Sequence, residues 1–155
     1  IEVAKAVEDA GGAALAIHGR TQKQAYRGEA DWQIIKEVKE ALNIPVIGNG
    51  DVFSPETFKQ RIEESGVDYI MIARGAMTNP AIFKQINYYM KKGEYSPVYK
   101  KKLFNEYLAL AKKHRIPLPY IKNHAIQFTK GTDGGGKLRQ KLVKCSSVEE
   151  IKALF

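Results

Sequence analysis

Apolar residues in the first ninety positions follow two alternating patterns. Spacings of three and four residues predict helices over 2–10, 32–42, 54–65 and 79–90, while short continuous apolar runs predict strands over 13–17, 45–47 and 69–73. Gly11-Gly12 and Gly66 follow two of these helices, as is common where a chain leaves a helix. The pattern therefore predicts one helix followed by three strand–helix units.

Polar residues support these helix starts. Asp31 and Ser54 stand where a side-chain oxygen would accept the first free N–H groups of a helix, and Pro55 suits the first helical position. Trp32 lies on the apolar stripe of its helix. We therefore predict that Trp32 belongs to the core rather than to a binding surface.

Apolar strands that alternate with helices are typical of a parallel sheet covered by helices on both faces. Three strands are too few to close an eight-stranded barrel, which needs about 250 residues with its helices. We interpret residues 1–91 as α/β, the C-terminal portion of a (β/α)8 TIM barrel. On this interpretation the chain is part of a longer protein.

The strand pattern stops near residue 92. Helices are predicted over 99–113, 120–129 and 138–143, with Pro117 and Pro119 separating the first two. Ser147 and Glu150 form a capping-box pattern for a last helix that ends at Phe155. Residues 92–155 are therefore predicted to form a small all-α domain.

Charge is divided unevenly along the 155 residues. Residues 1–83 carry a net charge of −3, whereas residues 84–144 carry 15 Lys and Arg against 3 Asp and Glu, a net charge of +12. Such asymmetry favours a polyanionic partner for the second half. A lysine-rich, solvated face is the alternative.

Other features narrow the class of protein. Cys145 is the single cysteine, which excludes an internal disulfide and a multi-cysteine metal site, and His114 and His124 have no partner at metal-ligand spacing. No apolar run has the length of a membrane span. We expect a cytoplasmic protein without a metal site; the sequence leaves the oligomeric state open, with a monomer favoured.

Polar, glycine-bearing loops follow each strand. His18 ends the first strand, Asn49-Gly50-Asp51 follows the second, and Ala73-Arg74-Gly75 follows the third. The last two βα loops hold a phosphate in many βα barrels, and Arg74 adds a permanent cation. Alternatively, these glycines only make tight turns, and Arg20 either meets a phosphate or pairs with an acid such as Asp31.

Basic side chains are interleaved with tyrosines in the second half. Lysine and arginine at helical spacing suit a phosphate backbone, and the absence of a base-reading motif favours recognition of a folded RNA by its shape. The predicted RNA contacts are Arg20, Lys112, Lys113, Arg115, Lys122, Asn123, His124, Lys130 and Arg139.

Four phrases resemble the tRNA-dihydrouridine synthase family. They are His18-Gly19-Arg20-Thr21, Tyr26-x-Gly28-x-Ala30-Asp31-Trp32, Pro45-Val-Ile-Gly-Asn-Gly-Asp51 and Met71-Ile-Ala-Arg-Gly-Ala-Met77. The resemblance implies an FMN-binding barrel, followed by a helical tRNA-binding domain that includes Lys122-Asn123-His124. It implies that His18 contacts the flavin, and that Asn49, Gly50, Asp51, Ala73 and Arg74 hold the flavin and its phosphate.

The implied reaction is FMN-dependent reduction of uridine to 5,6-dihydrouridine in tRNA, with NADPH as reductant. The family's catalytic cysteine and a flavin-contacting lysine belong to an earlier part of the barrel, so this chain alone is expected to be inactive. Two alternatives stay open: another FMN barrel, similar to dihydroorotate dehydrogenase, and a non-catalytic RNA-binding remnant. Binding of tRNA by residues 92–155 would favour the dihydrouridine synthase family over another FMN barrel. Binding of flavin would exclude the non-catalytic RNA-binding remnant.

Overall fold

The computed structural model describes residues 1–155 and contains one parallel sheet and nine helices. Two compact units divide the chain, one of residues 1–75 and 84–95, the other of residues 76–83 and 96–155. The first unit opens with α1 (Glu2–Asp9), β1 (Leu15–His18), α2 (Trp32–Ala41), β2 (Val46–Asn49), α3 (Pro55–Ser65) and β3 (Tyr69–Met71). The remaining helices are α4 (Arg74–Thr78), α5 (Ile82–Lys92), α6 (Lys100–Lys113), α7 (Leu118–Phe128), α8 (Gly135–Lys144) and α9 (Val148–Ala153).

The three strands lie in the order β1-β2-β3, all parallel. This sequential order, with a helix after each strand, is consistent with part of a TIM barrel. The register pairs His18 with Asn49 and Asn49 with Met71, so the carboxyl ends of the strands are level. Residues that follow the strands are therefore brought to one edge of the sheet.

One face of the sheet is covered and the other is open. Val46 and Gly48 point to the covered side, where Val46 is fully buried and Trp32 and Ile35 of α2 pack against Gly48. A side chain at Gly48 would come within 2.8 Å of the Trp32 ring, so only glycine permits this close packing. On the opposite face Tyr69 and Met71 stay exposed. The prediction that helices cover both faces therefore fails within this chain.

The predicted caps of the first unit are confirmed. The Asp31 carboxylate accepts the Ile34 N–H at 3.0 Å, and the Ser54 hydroxyl accepts the Thr57 N–H at 3.2 Å. Gly66 ends α3 with a φ of 66°, a left-handed conformation that glycine adopts without strain. The two N-cap contacts fix the residues at which α2 and α3 begin, after the loops that follow β1 and β2.

Helices α6 to α9 surround an aromatic and aliphatic core. Phe104, Phe128, Leu142 and Ile151 are almost fully buried, and the Phe155 ring stacks on Phe104 with centroids 3.9 Å apart. This second unit therefore has its own core. None of the chain's helices is both long enough and apolar enough to span a bilayer.

Several element boundaries differ from the predictions. Strand β3 ends at Met71 rather than residue 73, because Arg74 begins the unpredicted helix α4. Pro119 lies in the first turn of α7, where a missing N–H costs no hydrogen bond, so it does not separate two helices. Ser147 caps α9 as expected, but the Glu150 carboxylate accepts hydrogen bonds from Ser146 rather than from the Ser147 N–H.

Candidate functional site

A cleft lies at the carboxyl ends of the three strands. Its volume is about 110 Å³, and its lining includes all six residues predicted to hold a cofactor: His18, Asn49, Gly50, Asp51, Ala73 and Arg74. They come from three separate strand ends and meet because the strands are parallel and in register. Their role in binding stays a prediction, but their proximity is a property of the fold.

The turn after β2 is held by side chains on both sides. The Asn49 amide donates to the Met71 carbonyl at 2.6 Å, and the indole N–H of Trp32 donates to the Gly50 carbonyl at 3.0 Å. Trp32 is buried, which confirms its core placement. A Cβ at Gly50 would overlap Ala30, and Gly50 has a φ of 146°, so glycine is required here.

Asp51 joins two arginines. Its Oδ2 atom accepts hydrogen bonds from the Arg20 guanidinium and from the Ala30 N–H at 2.8 Å, and its Oδ1 atom accepts one from Arg74 at 2.7 Å. Asp51 also has a positive φ of 51°, which is uncommon for a residue with a side chain. These three anchors hold the carboxylate in place at this backbone conformation.

The electrostatics of Asp51 follow from these partners. Partial burial raises the pKa of its carboxyl, but hydrogen bonds from Arg20 and Ala30 and the charges of Arg20 and Arg74 outweigh burial. The net result is a pKa below the ordinary value of 3.8. Asp51 is therefore ionised at neutral pH, and one carboxylate is shared between two permanent cations.

Aromatic rings border the Arg74 guanidinium. Its central carbon lies 4.3 Å from the centroid of the Tyr26 ring and 5.6 Å from that of Phe53, both within cation–π range. The Arg74 side chain is 31% exposed. Arg74 is therefore oriented by Asp51 and by two rings while part of its surface still faces the cleft.

The predicted RNA contacts fall into distinct environments. Lys112, Lys113, Arg115, Asn123 and Lys130 are exposed, as binding to RNA requires. Lys122 instead donates to the carbonyls of Val143 at 2.6 Å and Cys145 at 2.9 Å, at the carboxyl end of α8.

Three further candidates are held by contacts within the protein. The His124 ring packs edge-on against Tyr107, with centroids 4.8 Å apart, and the Arg139 guanidinium lies 3.4 Å from the Thr129 hydroxyl. The Arg20 side chain is only 3% exposed and pairs with Asp51, not with Asp31. Its burial does not match the predicted surface contact with RNA.

The dihydrouridine synthase (Dus) family model matches residues 1–154. The chain belongs to the dihydrouridine synthase family. Its match covers both the sheet with its cleft and the helices that follow, in agreement with the resemblance in the four motif phrases.

Named relatives agree with this membership. A probable tRNA-dihydrouridine synthase 1 of Synechocystis sp. is 38% identical over 161 aligned residues, which cover 100% of this chain and 45% of that protein. The tRNA-dihydrouridine synthase B proteins of Vibrio parahaemolyticus and Pseudomonas aeruginosa are 50% and 46% identical over 93 and 97 residues. These alignments cover 60% and 63% of the chain and 29% of each relative. The chain thus spans less than half the length of these relatives.

Two contacts at the cleft are not predicted from the sequence, one to Arg74 and one to Asp51. Phe53 contributes a ring beside the Arg74 guanidinium. The sequence pattern that could have indicated this contact is an aromatic residue two positions after Asp51, in the loop that follows a strand. Ala30 contributes only its main-chain N–H to Asp51, for which a side-chain pattern carries no signal. Tyr26 belongs to one of the four motif phrases, but nothing in that phrase indicates that its ring lies over Arg74.

Proposed function

We propose that this chain forms the phosphate side of an FMN site and an RNA-binding surface of a tRNA-dihydrouridine synthase. The proposed reaction is reduction of the C5–C6 double bond of a uridine in tRNA to give 5,6-dihydrouridine. The observation that carries the proposal is the convergence of His18, Asn49–Asp51 and Ala73–Arg74 in one cleft at the strand ends. Ligands bind at this edge of the sheet in βα barrels.

The chemistry of the cleft fits a phosphate monoester. Two guanidinium groups share the single Asp51 carboxylate, so this cluster keeps a net charge of +1. Arg74 has N–H groups beyond the one bonded to Asp51, and a planar guanidinium suits phosphate oxygens. Arg74 would therefore provide the main attraction for the phosphate.

Cleft size limits which part of the cofactor this chain would hold. Sites for whole drug-sized ligands usually enclose about 300–1,000 Å³, and this cleft encloses about 110 Å³. It has room for the phosphate end of a flavin nucleotide. His18, on the open face of the sheet, would hydrogen-bond a ring atom of the flavin.

Bound FMN would supply the hydride chemistry that uracil reduction requires, with NADPH as the electron source. The residues of this chain would bind and orient the FMN. Arg74 would attract the phosphate by its charge, Asn49 and Asp51 would fix the turn after β2, and His18 would donate or accept a directional hydrogen bond. Cys145 is buried in the second unit, where its thiol donates to the Lys141 carbonyl. We therefore assign Cys145 no part in the chemistry.

Unpaired positive charge supports tRNA as the partner. Every ion pair in the structure uses a cation between Arg20 and Arg74, and no Lys or Arg of residues 84–144 pairs with a carboxylate. Cations without a carboxylate partner can release counterions when they contact a phosphate backbone. Exposed Tyr99 and Tyr120 offer rings for base stacking.

The test of the flavin site is Arg74→Ala in the natural full-length protein. We expect FMN retention after gel filtration to fall by roughly tenfold or more, since a hydrogen bond to a charged group contributes about 1.5–3 kcal/mol. Arg27→Ala, at an exposed arginine outside the cleft, is the matched control and should keep its flavin. Equal flavin content in the two variants would refute Arg74 as the phosphate ligand.

A further inference from the structure

Arg20 is the most deeply buried cation of the cleft region. Its side chain is 3% exposed, and its terminal nitrogen donates both to the Gly28 carbonyl at 2.7 Å and to the Asp51 carboxylate. Its other two guanidinium nitrogens are buried and have no hydrogen-bond partner in the structure. Burying a permanent charge is costly unless the charge is paired, so Asp51 is what makes this position tolerable.

Arg20 and Arg74 occupy different sides of the same carboxylate. Arg74 lines the cleft, whereas Arg20 does not and bonds the other Asp51 oxygen. With both cations present, the cluster carries +1. Without Arg20, the Asp51 charge would be balanced by Arg74 alone, and the cleft would face a phosphate with no net positive charge.

Arg20 also organises the loop that covers Arg74. It joins Gly28 to Asp51, and the neighbouring Ala30 N–H bonds the same Asp51 oxygen. The loop so held carries Tyr26, whose ring lies over the Arg74 guanidinium. The buried arginine is thus connected, through Asp51 and through the loop, to both groups that orient Arg74.

We propose that Arg20 is a positioning residue that neutralises Asp51, so that the charge of Arg74 remains available to the phosphate of a bound nucleotide. The inference rests on the proposed function, because it concerns the same cleft. It assigns to Arg20 no contact with the ligand and no contact with RNA.

The experiment measures FMN and riboflavin affinities of the flavin-free full-length protein by fluorescence titration. The two ligands differ only in the phosphate, so their affinity ratio isolates the phosphate interaction. Arg20→Met should lower FMN affinity on the order of tenfold, the loss expected for a single charge-assisted interaction, and leave riboflavin affinity unchanged. Arg20→Lys, which keeps the charge, should retain most of the FMN preference.

A second substitution separates charge from scaffolding. Adding Asp51→Asn to Arg20→Met removes the unbalanced carboxylate and returns the cluster to +1, so the FMN preference should recover in large part. Arg27→Met removes an exposed charge from the same loop and should change neither affinity. If Arg20→Met proves unfolded in a thermal melt, Arg20→Gln takes its place, since Gln can still donate to the Gly28 carbonyl.

The outcomes distinguish the inference from the proposed function. A wild-type protein that binds FMN no better than riboflavin refutes the phosphate site and the inference with it. A wild type that prefers FMN, with an Arg20→Met variant that loses both ligands equally or is not rescued by Asp51→Asn, refutes the inference alone. Arg20 would then be an ordinary structural residue.

Discussion

Lys122 is a predicted RNA contact, but in the structure its side chain extends from α7 and its ammonium lies at the carboxyl end of α8. Its ammonium donates to the Val143 and Cys145 carbonyls, which belong to the last residue but one of α8 and to its C-cap. These carbonyls have no partners within the helix, and a cation also favours the negative end of the helix dipole. We therefore predict that Lys122→Met lowers stability rather than RNA affinity.

The magnitude follows from the two contacts. A hydrogen bond from a charged donor contributes about 1.5–3 kcal/mol when protected from water, and a cation at an exposed helix end about 0.3–1 kcal/mol. Lys122 is only half-buried, so water replaces part of the loss. We expect about 1–2 kcal/mol in total, which lowers Tm by roughly 2–8 °C for a chain of 155 residues.

The assay pairs thermal denaturation with tRNA binding measured over a range of salt concentrations. Lys141→Met is the matched control, because Lys141 is an exposed lysine in the last turn of α8 and its side chain makes no hydrogen bond. Charge reversal of Lys112 and Lys113 is the positive control for RNA contact and should flatten the salt dependence. An unchanged Tm for Lys122→Met, with a salt slope reduced by about one, would restore Lys122 as a phosphate contact and refute the capping argument.

Two further predictions concern buried polar contacts. Trp32→Phe removes the indole donor and leaves the buried Gly50 carbonyl without its partner, so we expect a loss of about 1–3 kcal/mol in urea unfolding; an unchanged midpoint would show that the bond contributes nothing. Burial lowers the pKa of His124 below its ordinary value of 6.5, so its contribution to stability is complete above pH 6.5 and is lost as pH falls through the folded-state pKa. His124→Phe should therefore have a flatter Tm profile between pH 7 and pH 5 than the wild type, and parallel profiles would contradict this.

The sheet and the cleft could be predicted because their signals are local. Apolar runs marked the strands, and polar residues at Asp31 and Ser54 marked helix starts that the structure confirms. Parallel strands place their carboxyl ends together, so the loops after β1, β2 and β3 had to meet once the strands were identified. The helix α4 was missed because five residues are too few to show a helical period.

The partners of charged side chains could not be predicted in the same way. Arg20 had Asp31 as a plausible partner eleven positions away, yet Asp31 caps α2 and Arg20 pairs with Asp51, thirty-one positions away. Arg20 can pair with Asp51 because β1 and β2 end level with each other in the sheet and because the backbone at Asp51 is left-handed. Neither is visible in residue types along the chain.

In the basic second half, the residues that contribute positive charge are not all residues that can contact a phosphate. Lys100 donates to the Lys130 carbonyl and Lys122 to two carbonyls, so these cations are engaged in holding helices and turns. Their acceptors are neutral, however, and the charge itself is not cancelled. The field that attracts a polyanion therefore includes every cation, while close phosphate contacts are open only to exposed ones such as Lys112, Lys113 and Arg115. It follows that substitutions at engaged lysines should change stability first, and substitutions at exposed ones should change the salt dependence of RNA binding.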